Sequence, residues 1–272
     1  MAHIGVLQHL DHLSLKPDLV TGTSMGALVG AWYCLHGSSH GLAEMALDLF
    51  DSELFEKLDL DELIRDEEGS TDSFEQFSKK TKVLFTLTKM VRRISLVEPE
   101  FMHEVMHRLF GEATFEDLET PFVAVATDLY SGEDVALTEG KIATAVQASA
   151  SIPGVFPPVA LDGRLLVDGY ITKNVPVPEP GEPPNKADVI VVDVQRNLES
   201  GGPWENGIEV VARAEWIMQI QVNRYYLEQA DLVLVPDVRD VHWADFGRID
   251  QLIEAGRVSA AEKEEEIVRL FG

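Results

Sequence analysis

The spacing of apolar residues predicts that helices and strands alternate along most of the chain. Ile4, Leu7, Leu10 and Leu13 recur at the spacing of an amphipathic helix, whereas the short run Phe122–Ala126 is apolar throughout. The predicted helices span residues 2–14, 25–36, 40–56, 100–110, 141–148, 208–229 and 248–271. The predicted strands span residues 17–21, 122–126, 135–137, 165–167, 189–194 and 232–236. Apolar strands that alternate with helices imply an α/β fold with a largely parallel sheet covered on both faces.

The first predicted strand leads into the most informative motif of the chain, Gly22-Thr23-Ser24-Met25-Gly26. A serine between two glycines on a strand-to-helix turn is typical of a nucleophile elbow, which pushes the hydroxyl out beyond the sheet. We predict that Gly22 and Gly26 are needed because a Cβ at either position would crowd the opposite limb of the turn. The helix that starts here would place its free N–H groups, including that of Met25, beside the serine oxygen. The alternative interpretation is a glycine-rich turn without chemistry.

Composition limits the classes of partner and compartment. The 272 residues include 47 acidic and 22 basic side chains, a formal charge of −25, which argues against a nucleic-acid partner because phosphate binding needs a basic face. The single cysteine, Cys34, excludes an internal disulfide framework and indicates a reducing compartment. No apolar run approaches the length of a membrane-spanning helix, and the N-terminus shows no signal-peptide pattern. We therefore predict one cytoplasmic domain over residues 1–272.

Residues 57–100 differ in character from the rest and predict a cap-like excursion from the domain. An acidic stretch from Asp59 to Asp72 is followed by basic residues interleaved with apolar ones between positions 79 and 93. One interpretation is an ordinary amphipathic helix packed on the domain. The other is peripheral contact of residues 79–93 with a membrane surface.

A second motif, Asp168-Gly169, follows the predicted strand 165–167. A serine hydroxyl is a weak nucleophile and needs a base, usually a histidine backed by a carboxylate. Only 23 residues precede Ser24, whereas several strands precede the nucleophile in the α/β-hydrolase fold. The simplest alternative is a dyad in which Asp168 takes the serine proton directly. Burial would raise the pKa of the carboxyl from about 3.9 and make that transfer plausible. Taken alone, Asp168-Gly169 also fits a plain turn.

Several segments together resemble the patatin-like phospholipases, in particular the microbial branch similar to neuropathy target esterase. Besides Gly22–Gly26, they read Ala-Ser-Ala-Ser-Ile-Pro-Gly from Ala148 and Leu-Val-Asp-Gly-Tyr-Ile-Thr-Lys-Asn-Val-Pro from Leu166. The resemblance extends from His3 to the C-terminal region. It implies a three-layer α/β/α sandwich with a mostly parallel central sheet, and hydrolysis of lipid esters by a Ser–Asp dyad. Ser24 matches the family's nucleophile and Asp168 matches its partner.

The chain departs from the family pattern at two places. The family has Asp-Gly-Gly or Asp-Gly-Ala where this chain has Asp168-Gly169-Tyr170, so we expect a reshaped loop. In the family, a strand and a glycine-rich loop that supplies N–H groups to the oxyanion precede the segment matching Ala2–Leu7. Losing one oxyanion donor costs roughly 10²–10³ in rate. A truncated or misassigned start explains this better than a natural short form.

Two other chemistries compete with the dyad. His103-Glu104-Val105-Met106-His107 fits the zinc-protease helix motif, in which two histidines share a helix face and the glutamate acts as base. No third ligand stands at a spacing that supports it. His242 is a candidate for the histidine of a triad with Ser24 and Asp168, although beside Trp243 it is more typical of packing.

The sequence thus predicts a serine esterase that cleaves fatty acyl esters through an acyl-enzyme and requires no metal or organic cofactor. Ser24 and Asp168 are the predicted catalytic residues, and Gly22, Met25, Gly26 and Gly169 shape the elbow and the oxyanion site. The alternative is a catalytically impaired module of the same fold that binds a lipid or a partner, which the absent oxyanion loop favours.

Overall fold

The computed structural model describes residues 1–50, 52, 93–178, 188–195, 204, 206–238, 241 and 246–272. Its helices are α1 Ala2–His12, α2 Met25–His36, α3 Leu42–Phe50, α4 Pro99–Phe110, α5 Ile142–Ser149, α6 Tyr170–Lys173, α7 Gly207–Leu227, α8 Ile249–Ala261 and α9 Glu264–Phe271. Its strands are β1 Val20–Thr23, β2 Phe122–Asp128, β3 Asp134–Leu137, β4 Val159–Leu161, β5 Arg164–Asp168, β6 Ile190–Val192 and β7 Leu232–Leu234. Within the described part of the chain, no helix is long and apolar enough to cross a membrane.

The strands form a mixed sheet between helices. In the five-stranded sheet, β1 pairs with β2 in parallel, whereas β3 and β5 pair with β2 antiparallel and β4 pairs with β5 antiparallel. A separate parallel pair joins β6 and β7. The α/β/α class is confirmed, but the central sheet is less parallel than the sequence predicted.

Short hairpins account for two of the three antiparallel pairs, β2–β3 and β4–β5. Leu161 pairs with Arg164 across the two-residue loop Asp162-Gly163, and both loop residues have positive φ (48° and 78°). Such a loop joins antiparallel strands and is typical of Asp-Gly. The sequence analysis missed β4, because the three-residue strand follows Pro157-Pro158 and carries no long apolar run.

Strand β2 pairs with both β1 and β5, which are distant from each other in the sequence. One edge of β2 pairs with β3; the other pairs first with β1 and then with β5. Thr23 ends β1 beside Val125, and Asp168 ends β5 beside Ala126. Since β1 and β5 run toward each other along one edge, their carboxyl ends arrive at neighbouring positions. This register brings Ser24 and Asp168 together across 144 positions of sequence.

Side chains along β1 and β2 alternate between the two faces of the sheet, and each face contacts a different part of the molecule. Phe122 and Ala124 belong to the main hydrophobic core, together with residues of α2, α4 and α5. Threonines on the other face bond to the chain that follows Asp168: Thr23 Oγ1 donates to Lys173 O at 2.8 Å, and Thr127 Oγ1 lies 2.8 Å from Thr172 Oγ1. The segment after Asp168 is thus fixed to the sheet by hydrogen bonds as well as by packing.

Helices α1 and α8 pack against each other at backbone distance. A Cβ added to Gly256 would lie 1.8 Å from Ala2 O, and one added to Gly5 would lie 1.9 Å from Ile253 O. Two glycines therefore allow the helices to approach more closely than any side chain permits.

Several sequence predictions fall partly or wholly outside the described residues. The proposed excursion 57–100 is described only from residue 93 onward, so of the basic segment 79–93 only Arg93 is described. The predicted strand 189–194 is shorter in the structure, at Ile190–Val192. The long helix predicted over 208–229 is present as α7.

Candidate active site

Ser24 lies at a strained turn between β1 and α2. Its φ and ψ are 54° and −122°, values that a residue with a side chain rarely adopts. Such a conformation costs about 1–3 kcal/mol and persists only where the surrounding structure enforces it. The strain is the expected geometry of a nucleophile elbow.

The two elbow glycines are not equivalent. A Cβ added to Gly22 would lie 2.5 Å from Gly26 O, so the turn can close only if position 22 has no side chain. A Cβ added to Gly26 would meet nothing nearer than His3 Nε2, at 3.7 Å, which is ordinary van der Waals contact. The predicted requirement holds for Gly22 and was wrong for Gly26, because the Cβ direction at Gly26 points away from the opposite limb.

Both carboxylate oxygens of Asp168 are engaged. Ser24 Oγ donates to Oδ2 at 2.6 Å, and the Tyr170 N–H donates to Oδ1 at 2.9 Å. Asp168 is 1% exposed. The side chain is therefore held in one orientation, with one oxygen on the serine hydroxyl.

Burial changes the acidity of this carboxyl. Loss of solvation raises the pKa of Asp168 from 3.8 to about 7, although the hydrogen bonds from Ser24 and Tyr170 oppose that rise. A carboxylate with a pKa near 7 is a far better proton acceptor than one in water. A carboxyl group with such a pKa is able to accept a proton near neutral pH.

Position 169 must be glycine because the backbone of β2 lies close to it. A Cβ there would lie 2.4 Å from Val125 O and 3.0 Å from Thr23 Cγ2. Tyr170, at the place where the family pattern has a small residue, is the first residue of α6, and its OH donates to Glu215 Oε1 at 2.8 Å. The bulky side chain is accommodated because it leaves the turn toward α7.

Ser149 and Ser151 form hydrogen bonds with the backbones of Ser24 and Asp168, and both serines are fully buried. Ser149 Oγ accepts a hydrogen bond from the Ser24 N–H at 3.1 Å and donates to Val125 O at 2.6 Å. Ser151 O accepts from the Asp168 N–H at 2.9 Å. One short segment therefore holds the backbone of both Ser24 and Asp168.

Met25 follows Ser24 at the amino end of α2, where N–H groups are suited to an anion. Met25 is the first residue of α2, and the first N–H groups of a helix have no acceptor within it. The Ala27 and Leu28 N–H groups both donate to Ser24 O, at 2.9 and 3.1 Å. These bonds join the first turn of α2 to the Ser24 carbonyl, and the positive end of the helix dipole lies beside Ser24.

His3 is a neighbour of the elbow that the sequence analysis did not single out as a site residue. Burial, and then the charge of the chain's N-terminus, lower the pKa of His3 from 6.5 to about 3, so its ring is neutral at pH 7. Nothing in the periodicity of α1 distinguishes this residue from other polar positions.

The structure gives little support to the zinc-protease motif. His103, Glu104 and His107 lie on the exposed face of α4. Within the described ranges, no three His, Cys, Asp or Glu side chains are grouped so that they could hold a metal ion. His242 lies outside the described residues.

A polar cavity of about 770 Å³ lies at the opposite end of α2 from Ser24, lined in part by Asp11, Lys16 and Ser39. Asp11 Oδ2 accepts from both the N–H and the Oγ of Ser39 at 2.6 Å, and Lys16 Nζ donates to Gly37 O at 2.8 Å. Its polar groups therefore hold the loop after α2 in place, and we assign the cavity no chemistry.

The chain belongs to the patatin-like phospholipase family, whose model matches residues 1–180. Enzymes of this family act on lipid esters. The resemblance inferred from the sequence motifs is therefore confirmed.

Relatives support the same assignment over most of the chain. An uncharacterised NTE family protein of Mycobacterium bovis is 29% identical over 79% of this chain and 51% of its own length. Patatin-like phospholipase domain-containing protein 6 of Mus musculus is 25% identical over 94% of this chain and 19% of its own. Neuropathy target esterase sws of Drosophila grimshawi is 30% identical over 64% and 10%. The chain thus spans about half or less of the length of these relatives.

Proposed function

We propose that this chain hydrolyses fatty acyl esters of lipids through a Ser24–Asp168 dyad. Asp168 accepts the hydroxyl proton as Ser24 Oγ attacks the ester carbonyl. The carbonyl oxygen becomes an oxyanion that the Met25 N–H stabilises. Collapse of the tetrahedral intermediate expels the alcohol, which takes the proton back from Asp168, and leaves an acyl-serine.

The second half of the reaction uses the same carboxylate. Asp168 accepts a proton from a water molecule, and the resulting hydroxide attacks the acyl-serine. The fatty acid leaves and Ser24 regains its proton. No metal or organic cofactor takes part in this scheme.

The observation that carries the proposal is the 2.6 Å hydrogen bond between Ser24 Oγ and Asp168 Oδ2 at a strained elbow. Family membership supports the reaction class and the lipid ester substrate. Burial of Asp168 supports its role as base, because it raises the pKa toward neutrality.

Hydrolysis of p-nitrophenyl butyrate by purified variants tests the dyad. We expect Ser24→Ala and Asp168→Asn each to lower kcat/KM by at least about 10³, because removing a nucleophile or its base abolishes acyl-enzyme formation. Circular dichroism checks that both variants fold.

Ser39→Ala is the matched control. Ser39 is a buried serine beyond the opposite end of α2, so its replacement should leave the rate near that of the wild type. If Asp168→Asn retains near-normal rates, the dyad is wrong. A wild-type protein that neither hydrolyses esters nor reacts with a fluorophosphonate would support the impaired, binding-only alternative.

A further inference from the structure

Helix α7 exposes a continuous row of apolar side chains. They are Val210, Val211, Ile217, Met218, Val222 and Tyr225, with exposed fractions from 36% to 67%. At 100° per residue these positions lie on one side of the helix, where Gln221 is the polar exception. We call these six residues the apolar stripe. Their helix is 21 residues long, so the stripe runs for about 30 Å or less.

The packed side of α7 includes polar residues. Asn223 is fully buried and its Nδ2 donates to Gln195 Oε1 at 2.8 Å, while Gln219 Nε2 donates to Tyr170 O at 3.4 Å. A surface helix ordinarily does the reverse, with its apolar face toward the core. Large contiguous apolar patches on a protein surface mark interaction sites. The stripe is therefore a surface that something else covers.

The stripe adjoins the Ser24–Asp168 site. Glu215 lies at the edge of the stripe, one helical turn from both Val211 and Met218, and accepts the hydrogen bond of the Tyr170 OH at 2.8 Å. The Tyr170 N–H in turn donates to Asp168 Oδ1 at 2.9 Å. Two hydrogen bonds and one tyrosine thus connect the stripe to the carboxylate.

The net charge of the chain distinguishes between the partners that could bind the apolar stripe. The chain carries a formal charge of −25, so a second copy of it or an anionic surface would be repelled. A charged protein partner would find no side chain for ion pairs within the stripe. A zwitterionic lipid surface has no net charge and offers hydrocarbon. The exposed Tyr225, in the stripe near the end of α7, suits the boundary between head groups and acyl chains.

We propose that α7 lies on a zwitterionic phospholipid bilayer with the apolar stripe in its surface, which holds the neighbouring Ser24–Asp168 site close to packed lipid. The docking itself depends on the stripe alone. The benefit to catalysis rests on the function proposed above.

Flotation with phosphatidylcholine vesicles tests the docking. The wild type and the Ser24→Ala variant should float with the vesicles. The double variant Val211→Gln/Met218→Gln, which keeps the net charge, should bind at least about tenfold more weakly, because it loses two apolar contacts with the acyl chains. Added phosphatidylserine should weaken binding of the wild type, and added salt should not weaken binding to phosphatidylcholine.

Val258→Gln/Val268→Gln is the matched control, since these valines of α8 and α9 are also exposed (40% and 46%). It should float like the wild type. Equal flotation of the stripe variant and the wild type would overturn the proposal, as would a wild type that ignores vesicles and forms a dimer in analytical ultracentrifugation.

A parallel assay separates this proposal from the catalytic one. The stripe variant should hydrolyse soluble p-nitrophenyl butyrate at the wild-type rate. Vesicle binding without ester hydrolysis would contradict the proposed function and leave docking standing. Ester hydrolysis without vesicle binding would overturn docking alone.

Discussion

Burial gives the Asp168 carboxyl a higher pKa than exposed acidic side chains have. The carboxyl is 1% exposed and its pKa is raised to about 7, with desolvation as the main cause. The folded protein therefore binds a proton that the unfolded chain releases near pH 4. Stability that this proton provides is fully present below about pH 4 and is lost as the pH rises through about 7. Ionisation of this buried carboxyl at neutral pH thus lowers the free energy of unfolding.

Replacement of Asp168 by asparagine should reveal this cost. Asparagine retains hydrogen-bonding groups toward Ser24 and the Tyr170 N–H but does not titrate. Relative to wild type, the free energy of unfolding of Asp168→Asn should rise between pH 4 and pH 8 by up to about 4 kcal/mol. Urea denaturation of both proteins across this range measures the difference. A difference that stays constant with pH would mean that the carboxyl is not perturbed in the folded state.

At the scale of elements, packing distances decide which residues the helices tolerate. Helices α1 and α8 touch through Gly5 and Gly256, so their contact is between backbones. The same argument applies at the site, where Gly22 and Gly169 permit contacts that a methyl group would block. These glycines are sites of close approach, in contrast to glycines that adopt a positive φ.

Gly256→Ala should therefore destabilise the protein by about 2–3 kcal/mol or more, because its Cβ would lie 1.8 Å from Ala2 O and the helices must separate. Gly207→Ala at the start of α7 is the control, since a Cβ there meets nothing within 4 Å. We expect its thermal midpoint to be unchanged or slightly higher, as alanine favours a helix. Equal midpoints for the two variants would contradict the close packing of α1 on α8.

At the scale of the whole molecule, the positions of helices and strands were predicted from the sequence better than the pairing of the strands. The elbow was readable because Gly22-Thr23-Ser24-Met25-Gly26 lies between a short apolar run and a long one, and α2 begins and ends where the pattern placed it. The hairpin of β4 and β5 was missed although Asp162-Gly163 is a strong turn signal, so the sheet was expected to be mostly parallel. Local patterns reveal periodicity, whereas register depends on contacts between distant segments.

The candidate site also depends on contacts between distant segments, which local sequence patterns do not reveal. Asp168 was chosen as the partner of Ser24 from its motif and the family resemblance, but no local pattern foretells that β1 and β5 end side by side on β2. The roles of Ser149 and Ser151 as backbone acceptors, and the contact of Tyr170 with Glu215, also depend on tertiary packing. Gly26 was judged essential from the motif, yet space exists for a side chain there.

The pH dependence of fluorophosphonate labelling, with the modified residue mapped by mass spectrometry, tests the central claim most directly. We expect that Ser24 alone is labelled, that the rate of labelling rises with pH through an apparent pKa of about 7, and that Asp168→Asn removes the reaction. Labelling of another serine, or a Ser24 rate that is flat between pH 5 and pH 9 and survives in Asp168→Asn, would contradict it.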